Sequence, residues 1–158
     1  MIAVGEQAPE FELVSTRGQC FSLGDFAGHQ DVMLVFYPNG HTGCCGDKLT
    51  SRDISDHLES FLSVNVEPLA IVADGSLSAS GYMESLDLPF PVVVDMDNLV
   101  HLEYGLIRER SDLPIRATVV VTKDGRIALV DQGRPTVERM LNEIYEFRLN
   151  LELDSTTT

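Results

Sequence analysis

Basic side chains are scarce in this 158-residue chain: eleven lysines and arginines stand against 25 aspartates and glutamates, for a net charge of -14. Such a surface repels nucleic-acid phosphates and anionic membrane headgroups, so neither is expected as a partner. Long apolar runs are missing too. No stretch approaches the ~18 uninterrupted apolar residues of a membrane helix. The start, Met1-Ile2-Ala3-Val4-Gly5-Glu6, lacks the basic residues and apolar run of a secretory signal, so the expected location is cytoplasmic. Cysteine is sparse: Cys20, Cys44 and Cys45 are too few and too unevenly placed for a disulfide framework. In a reducing compartment they are free or redox-active thiols, and a free cysteine is most often just a small buried hydrophobe. Repeats and linkers are absent, and the only low-complexity stretch is the closing Asp154-Ser155-Thr156-Thr157-Thr158, which reads as a disordered tail. Residues 1–153 then form one domain, with 44% apolar content across the chain to fill one core.

What is present alternates between strand and helix signals. Residues 11–13 and 20–22 read as short strands around the turn-rich Ser15-Thr16-Arg17-Gly18, an N-terminal β-hairpin. Val32-Met33-Leu34-Val35-Phe36-Tyr37 is a continuous apolar run, as expected of a central strand covered on both faces. A helix follows, with Ile54, Leu58, Phe61 and Leu62 on one face. Pro68-Leu69-Ala70-Ile71-Val72 is the next strand, with the proline at its first position. Residues 77–86 read as a shorter helix with Tyr82, Met83 and Leu86 facing inward, and Pro91-Val92-Val93-Val94 as a further strand. Residues 117–121 and 126–130 form a hairpin through Asp124-Gly125. The last helix follows Pro135 and carries Val137, Met140, Leu141, Ile144 and Tyr145 as an apolar stripe, a core face that leaves room for a homodimer interface. The order predicts an α/β mixed sheet with helices on both faces, a thioredoxin-like arrangement behind an N-terminal hairpin.

The chemistry concentrates in Tyr37-Pro38-Asn39-Gly40-His41-Thr42-Gly43-Cys44-Cys45, which runs from a buried strand end through a turn into a helix start. Ligands of open α/β sheets bind at the carboxyl ends of strands. A cysteine in a first helical turn sits among unpaired backbone N–H groups at the positive end of the helix dipole, which favours the nucleophilic thiolate.

Pro38, Thr42 and Cys45 match the Pro-x-x-x-Thr-x-x-Cys signature of the peroxiredoxins, the alkyl hydroperoxide reductase and thiol-specific antioxidant family. The resemblance extends to Val4-Gly5-Glu6-Gln7-Ala8-Pro9-Glu10-Phe11, Leu23-Gly24-Asp25-Phe26-Ala27-Gly28, Leu88-Pro89-Phe90-Pro91 with Asp95-Met96-Asp97, and Arg116-Ala117-Thr118-Val119 with Lys123-Asp124-Gly125-Arg126. Within the family the chain most resembles the bacterioferritin comigratory protein-like subclass. The resemblance implies a thiol-dependent peroxidase that reduces hydrogen peroxide or organic hydroperoxides. Cys45 would be the attacking cysteine, Thr42 a hydroxyl contacting the peroxide, Pro38 a shield for the thiol, and Arg116 the cation holding thiolate and substrate. Donors aimed at both oxygens stabilise the charge that builds as the O–O bond breaks. The partners implied are a peroxide and an external thiol reductant of thioredoxin, glutaredoxin or small-thiol type, with no cofactor.

Taken singly, each residue has a plainer reading: Arg116 a surface cation, Thr42 a helix cap, Pro38 a turn residue. The pattern also departs from the family's. Gly43 stands where proline is common, Lys48 where an acidic residue is frequent, and Thr50 where one subclass carries a local resolving cysteine. Adjacent Cys44 and Cys45 would pair only in a strained ring. That leaves a one-cysteine enzyme or resolution by Cys20, which is expected to be buried in its strand. His41, Cys44 and Cys45 also cluster soft donors, so copper or zinc handling on the same fold, or redox sensing without turnover, are the alternatives.

Overall fold

The computed structural model describes residues 2–15, 18–37, 51–73, 89–107, 115–132 and 136–156, with side chains excepted at 51, 52 and 151–156. Its centre is β3 (Asp31–Tyr37), where every side chain from Val32 to Tyr37 is fully buried. Six consecutive apolar or aromatic positions, Val32 to Tyr37, have no polar face to give to water, so the strand must sit inside a sheet covered on both sides. It does: the five-stranded order is β5-β4-β3-β6-β7, with β4 (Val66–Ala73) and β5 (Val92–Asp95) parallel to β3 and β6 (Ala117–Val121) antiparallel to it. The outer strand β7 (Ile127–Asp131) pairs antiparallel with β6, with a register shift between Val120 and Val121.

Strand alternation divides the core in two. Met33, Val35 and Tyr37 join Val66, Ala70, Val72 and Val120 on one face, beneath Ile54 of α1 (Ser51–Asp56), Phe61 of α2 (Leu58–Ser63), and Met140 and Ile144 of the last helix. Val32, Leu34 and Phe36 join Leu69, Ile71 and Val93 on the other, with Phe11, Leu23, Phe26, Val100 and Tyr104. Val100 belongs to α3 (Leu99–Glu103), a helix the sequence pattern did not single out. Helices therefore cover both faces, as expected.

The hairpin of β1 (Glu12–Val14) and β2 (Cys20–Ser22) pairs antiparallel as predicted, and a bridge from Ser15 to Val93 seats it against the β5 edge. On the opposite edge the Gly5 and Ala8 amides donate to Ile127 O and Gly125 O, and Gln7 bridges Arg126. The N-terminal segment thus touches both outer strands, which removes pairing groups that exposed edges would offer to other chains. At the β6–β7 turn Gly125 has φ +84°, the left-handed backbone that favours glycine, and a Cβ there would stand 2.9 Å from the end of the Gln7 side chain, which would have to shift.

Several local expectations shift. Pro68 is the third residue of β4, not the first. The Ala70 amide donates toward Pro91, so Pro68, two residues back, presents its missing N–H to the same side, beyond where β5 pairing begins. The single helix expected around Ile54 to Leu62 is broken at His57 (φ -118°, ψ 19°), which turns Leu62 outward while Ile54 and Phe61 stay buried. Tyr145 is likewise exposed, and the stripe of the last helix narrows to Val137, Met140 and Ile144 with Leu141 half-buried. That helix, α4 (Val137–Thr156), continues into the segment expected to be a disordered tail, because no glycine or proline follows Pro135 to stop it. The helix predicted over 77–86 lies outside the described residues.

Candidate active site

Because β3, β4 and β5 run parallel, Tyr37, Ala73 and Asp95 end at one edge of the sheet, and antiparallel β6 starts there. This is the edge at which open α/β sheets bind ligands. Pro38 follows Tyr37 directly in the sequence, so the Pro38 to Cys45 motif begins where β3 ends. Pro38, Thr42 and Cys45 themselves lie outside the described residues, as do His41, Gly43, Cys44, Lys48 and Thr50.

Arg116, the fourth candidate, is described, and its placement is specific. Phe36 pairs with Ala117, so one step further along the antiparallel ladder Tyr37 comes opposite Arg116. The guanidinium carbon lies 5.2 Å from the centre of the Tyr37 ring. A cation over an aromatic face is worth about 0.5–2 kcal/mol, more as water is excluded, and Tyr37 is fully buried while Arg116 is half-buried. An ordinary surface cation would point its head into bulk water. Arg116 instead holds its fixed charge at the strand end from which the motif departs. The sequence placed Tyr37 at the end of the core strand and the head of the motif segment but gave its ring no role; only the pairing with Arg116 across the sheet supplies one.

Two residues along β6, on the same face as Arg116, Thr118 is 1% exposed, and its Oγ1 has no hydrogen-bond partner among the described residues. Opposite Thr118 on β7, buried Asp131 takes an ion pair from Arg139 at 3.1 Å.

Cys20 departs from its expected burial. It is exposed on the hairpin, and its thiol donates to Glu12 Oε1 at 3.0 Å across the β1–β2 pair. A hairpin with one face on the sheet leaves alternate side chains in water, and Cys20 falls on the wet side. The bond to Glu12 pushes its thiol above the ordinary range, and the charges of Glu12 and Asp25 add to this. Cys20 is thus held protonated, the opposite of what a nucleophile needs.

A second polar group at the same end of the sheet went unread in the sequence. The carboxylate of buried Asp95 accepts from the Val100 amide at 3.0 Å and from the His101 amide and Nδ1, each at 2.7 Å. Asp97 and Asn98 adopt left-handed backbone (φ 58° and 57°) to turn the chain between them. This arrangement caps α3 and joins it to the end of β5. Among the described residues no cluster of three or more His, Cys, Asp or Glu side chains could hold a metal ion, and the His41, Cys44 and Cys45 group lies outside them.

The sequence matches the AhpC/TSA family over residues 4–130. It is 29% identical over 137 residues to alkyl hydroperoxide reductase E of Mycobacterium tuberculosis, covering 85% of this chain and 88% of that protein. It is 29% identical over 153 residues to the chloroplastic peroxiredoxin Q of Sedum lineare, covering 96% and 80%. In fold it resembles the peroxidoxin BcpB of Mycobacterium tuberculosis, with a TM-score of 0.76 at 18% identity over 94% of this chain and 98% of that one. Thioredoxin peroxidase I of Plasmodium yoelii gives 0.76 at 23% identity over 95% and 93%. The mixed thioredoxin-like sheet, the cation seated at its carboxyl edge and the match across residues 4–130 agree, and the chain belongs to the AhpC/TSA family.

Proposed function

We propose that this chain is a thiol-dependent peroxidase in which Cys45 attacks the peroxide, with Thr42, Arg116 and Pro38 around it. The family supports the activity, and one observation supports the site: the Arg116 guanidinium 5.2 Å from the Tyr37 ring, at the strand end that runs directly into Pro38.

In this reading the Cys45 thiolate attacks one oxygen of ROOH, an S–O bond forms, and the O–O bond breaks. The departing RO⁻ takes a proton and leaves as water or an alcohol. Arg116 supplies a charge that stays on at any working pH, and Thr42 and the backbone N–H groups near Cys45 supply hydrogen bonds that strengthen as the leaving oxygen gains charge. The sulfenic acid on Cys45 then condenses with a thiol to a mixed disulfide and water, and a second thiol releases the enzyme and an oxidised reductant. Thioredoxin-type, glutaredoxin-type and small thiols all fit this half of the cycle. Such thiols are abundant in the cytoplasm, where we place the reaction.

Cys45→Ser is expected to abolish thiol-dependent peroxide consumption and Cys44→Ser to keep most of it, since only Cys45 stands at the motif distance from Pro38 and Thr42. Peroxide consumption and the mass gain after one equivalent of hydrogen peroxide, with a sulfenate trap, would read this out. Equal loss in both variants would sink the assignment.

A further inference from the structure

Thr118 is hard to explain as a packing residue. Val119, Val120 and Val121 follow it along β6, and it stands opposite Val35 of β3, so valine would suit the position. Instead a hydroxyl is buried there with no hydrogen-bond partner among the described residues. Leaving such a group unmet costs about 1–3 kcal/mol. Next to it on the same face is Arg116, whose guanidinium carries five N–H donors and no acceptor. Two residues of strand separate their Cα atoms by about 6.6 Å, within the reach of an arginine side chain.

We propose that Thr118 is a positioning residue that accepts a hydrogen bond from the Arg116 guanidinium and holds it in the orientation that engages thiolate and peroxide. The inference rests on the peroxidase reading above. The structure has the guanidinium over Tyr37. Rotation about the side-chain torsions of Arg116 brings an N–H toward Thr118 Oγ1, the Tyr37 ring and the Thr118 hydroxyl then bracketing the cation. Thr118 touches no reacting atom in this scheme and acts only through Arg116.

The test is the rate constant of sulfenate formation at Cys45 in full-length protein with hydrogen peroxide, followed across pH. Thr118→Val should lower it about fivefold or more and move the pH profile upward, while Thr118→Ser, which keeps the hydroxyl, restores both. Thr118→Ala removes the hydroxyl without adding a branch and should match Thr118→Val in rate. The melting temperature of Thr118→Val should stay close to that of the parent, because the hydrogen bond lost is offset by a methyl of the same shape that needs no partner. In an Arg116→Met background the valine substitution should add less than about twofold, the signature of a residue acting through another. Parental rates in Thr118→Val, or an equal slowing with and without Arg116, overturn the proposal. A parent protein that forms no sulfenate overturns the peroxidase reading as well, and that outcome is visible before any variant is made.

Discussion

Arg116 and Cys20 show how far a single side chain's meaning depends on its neighbours. Both are polar groups on strand termini, yet one is drawn over a buried aromatic ring and the other is tied to an exposed carboxylate. For Arg116 the expected consequence is kinetic. Arg116→Met should slow sulfenate formation about tenfold or more, equivalent to about 1.4 kcal/mol of barrier. Arg116→Lys should recover part of that, since a point charge lacks the planar fork. An unchanged rate constant in both variants would make Arg116 a structural cation. For Cys20 the consequence is slowness. A thiol held above its ordinary range is mostly protonated at neutral pH, so iodoacetamide should modify Cys20 more slowly than a free cysteine. Glu12→Gln removes the charge that disfavours the thiolate, so Cys20 should react faster in that variant at pH 8. Peptide mapping of the alkylated protein measures both rates, and no acceleration in Glu12→Gln would refute the coupling.

At the scale of elements, α3 and the N-terminal segment form one unit with the second core face. Tyr104, just past α3, donates its hydroxyl to Pro9 O at 2.8 Å, and its ring meets Phe36 and Phe11. Burial drives its titration far above the ordinary tyrosine range, and the charges of Glu10 and Glu103 add to this. The folded value is raised above the unfolded value of about 10, so the native state keeps its proton where the unfolded state loses it. Stability from this group is fully present below pH 10 and falls as pH rises beyond it. Urea unfolding followed from pH 8 to 11 should show that decline in the parent and a shallower one in Tyr104→Phe, which should also cost about 1 kcal/mol at neutral pH for the lost hydrogen bond. Identical alkaline slopes would show that Tyr104 is not responsible.

For the whole molecule, the arrangement of thiols decides how the catalytic cycle ends. Thr50 occupies the local resolving position, and Cys20 is held protonated on the hairpin. Hydrogen peroxide without reductant is therefore expected to carry Cys45 from sulfenic to sulfinic and sulfonic acid, and a small thiol to give a mixed disulfide instead and restore activity. Non-reducing gels and peptide mapping after stoichiometric oxidation distinguish the two. A stable Cys20-Cys45 disulfide, within or between chains, would make this a two-cysteine enzyme.

The sequence alone determined what one-dimensional periodicity and short spacings can encode. The unbroken run from Val32 to Tyr37 could only be a doubly covered strand and Asp124-Gly125 a turn, and the Pro38, Thr42 and Cys45 spacing directly after that strand carried the family resemblance. Tertiary structure decided the rest, because it depends on which residues meet across the sheet. Only strand register puts Arg116 against Tyr37 and Thr118 beside it, 79 and 81 positions from Tyr37 along the chain. Only the hairpin's seat at the sheet edge leaves Cys20 in water, and only the turn through Asp97 and Asn98 brings His101 onto Asp95. Periodicity reports which face a side chain takes, whereas its chemistry here was set by its partner on that face.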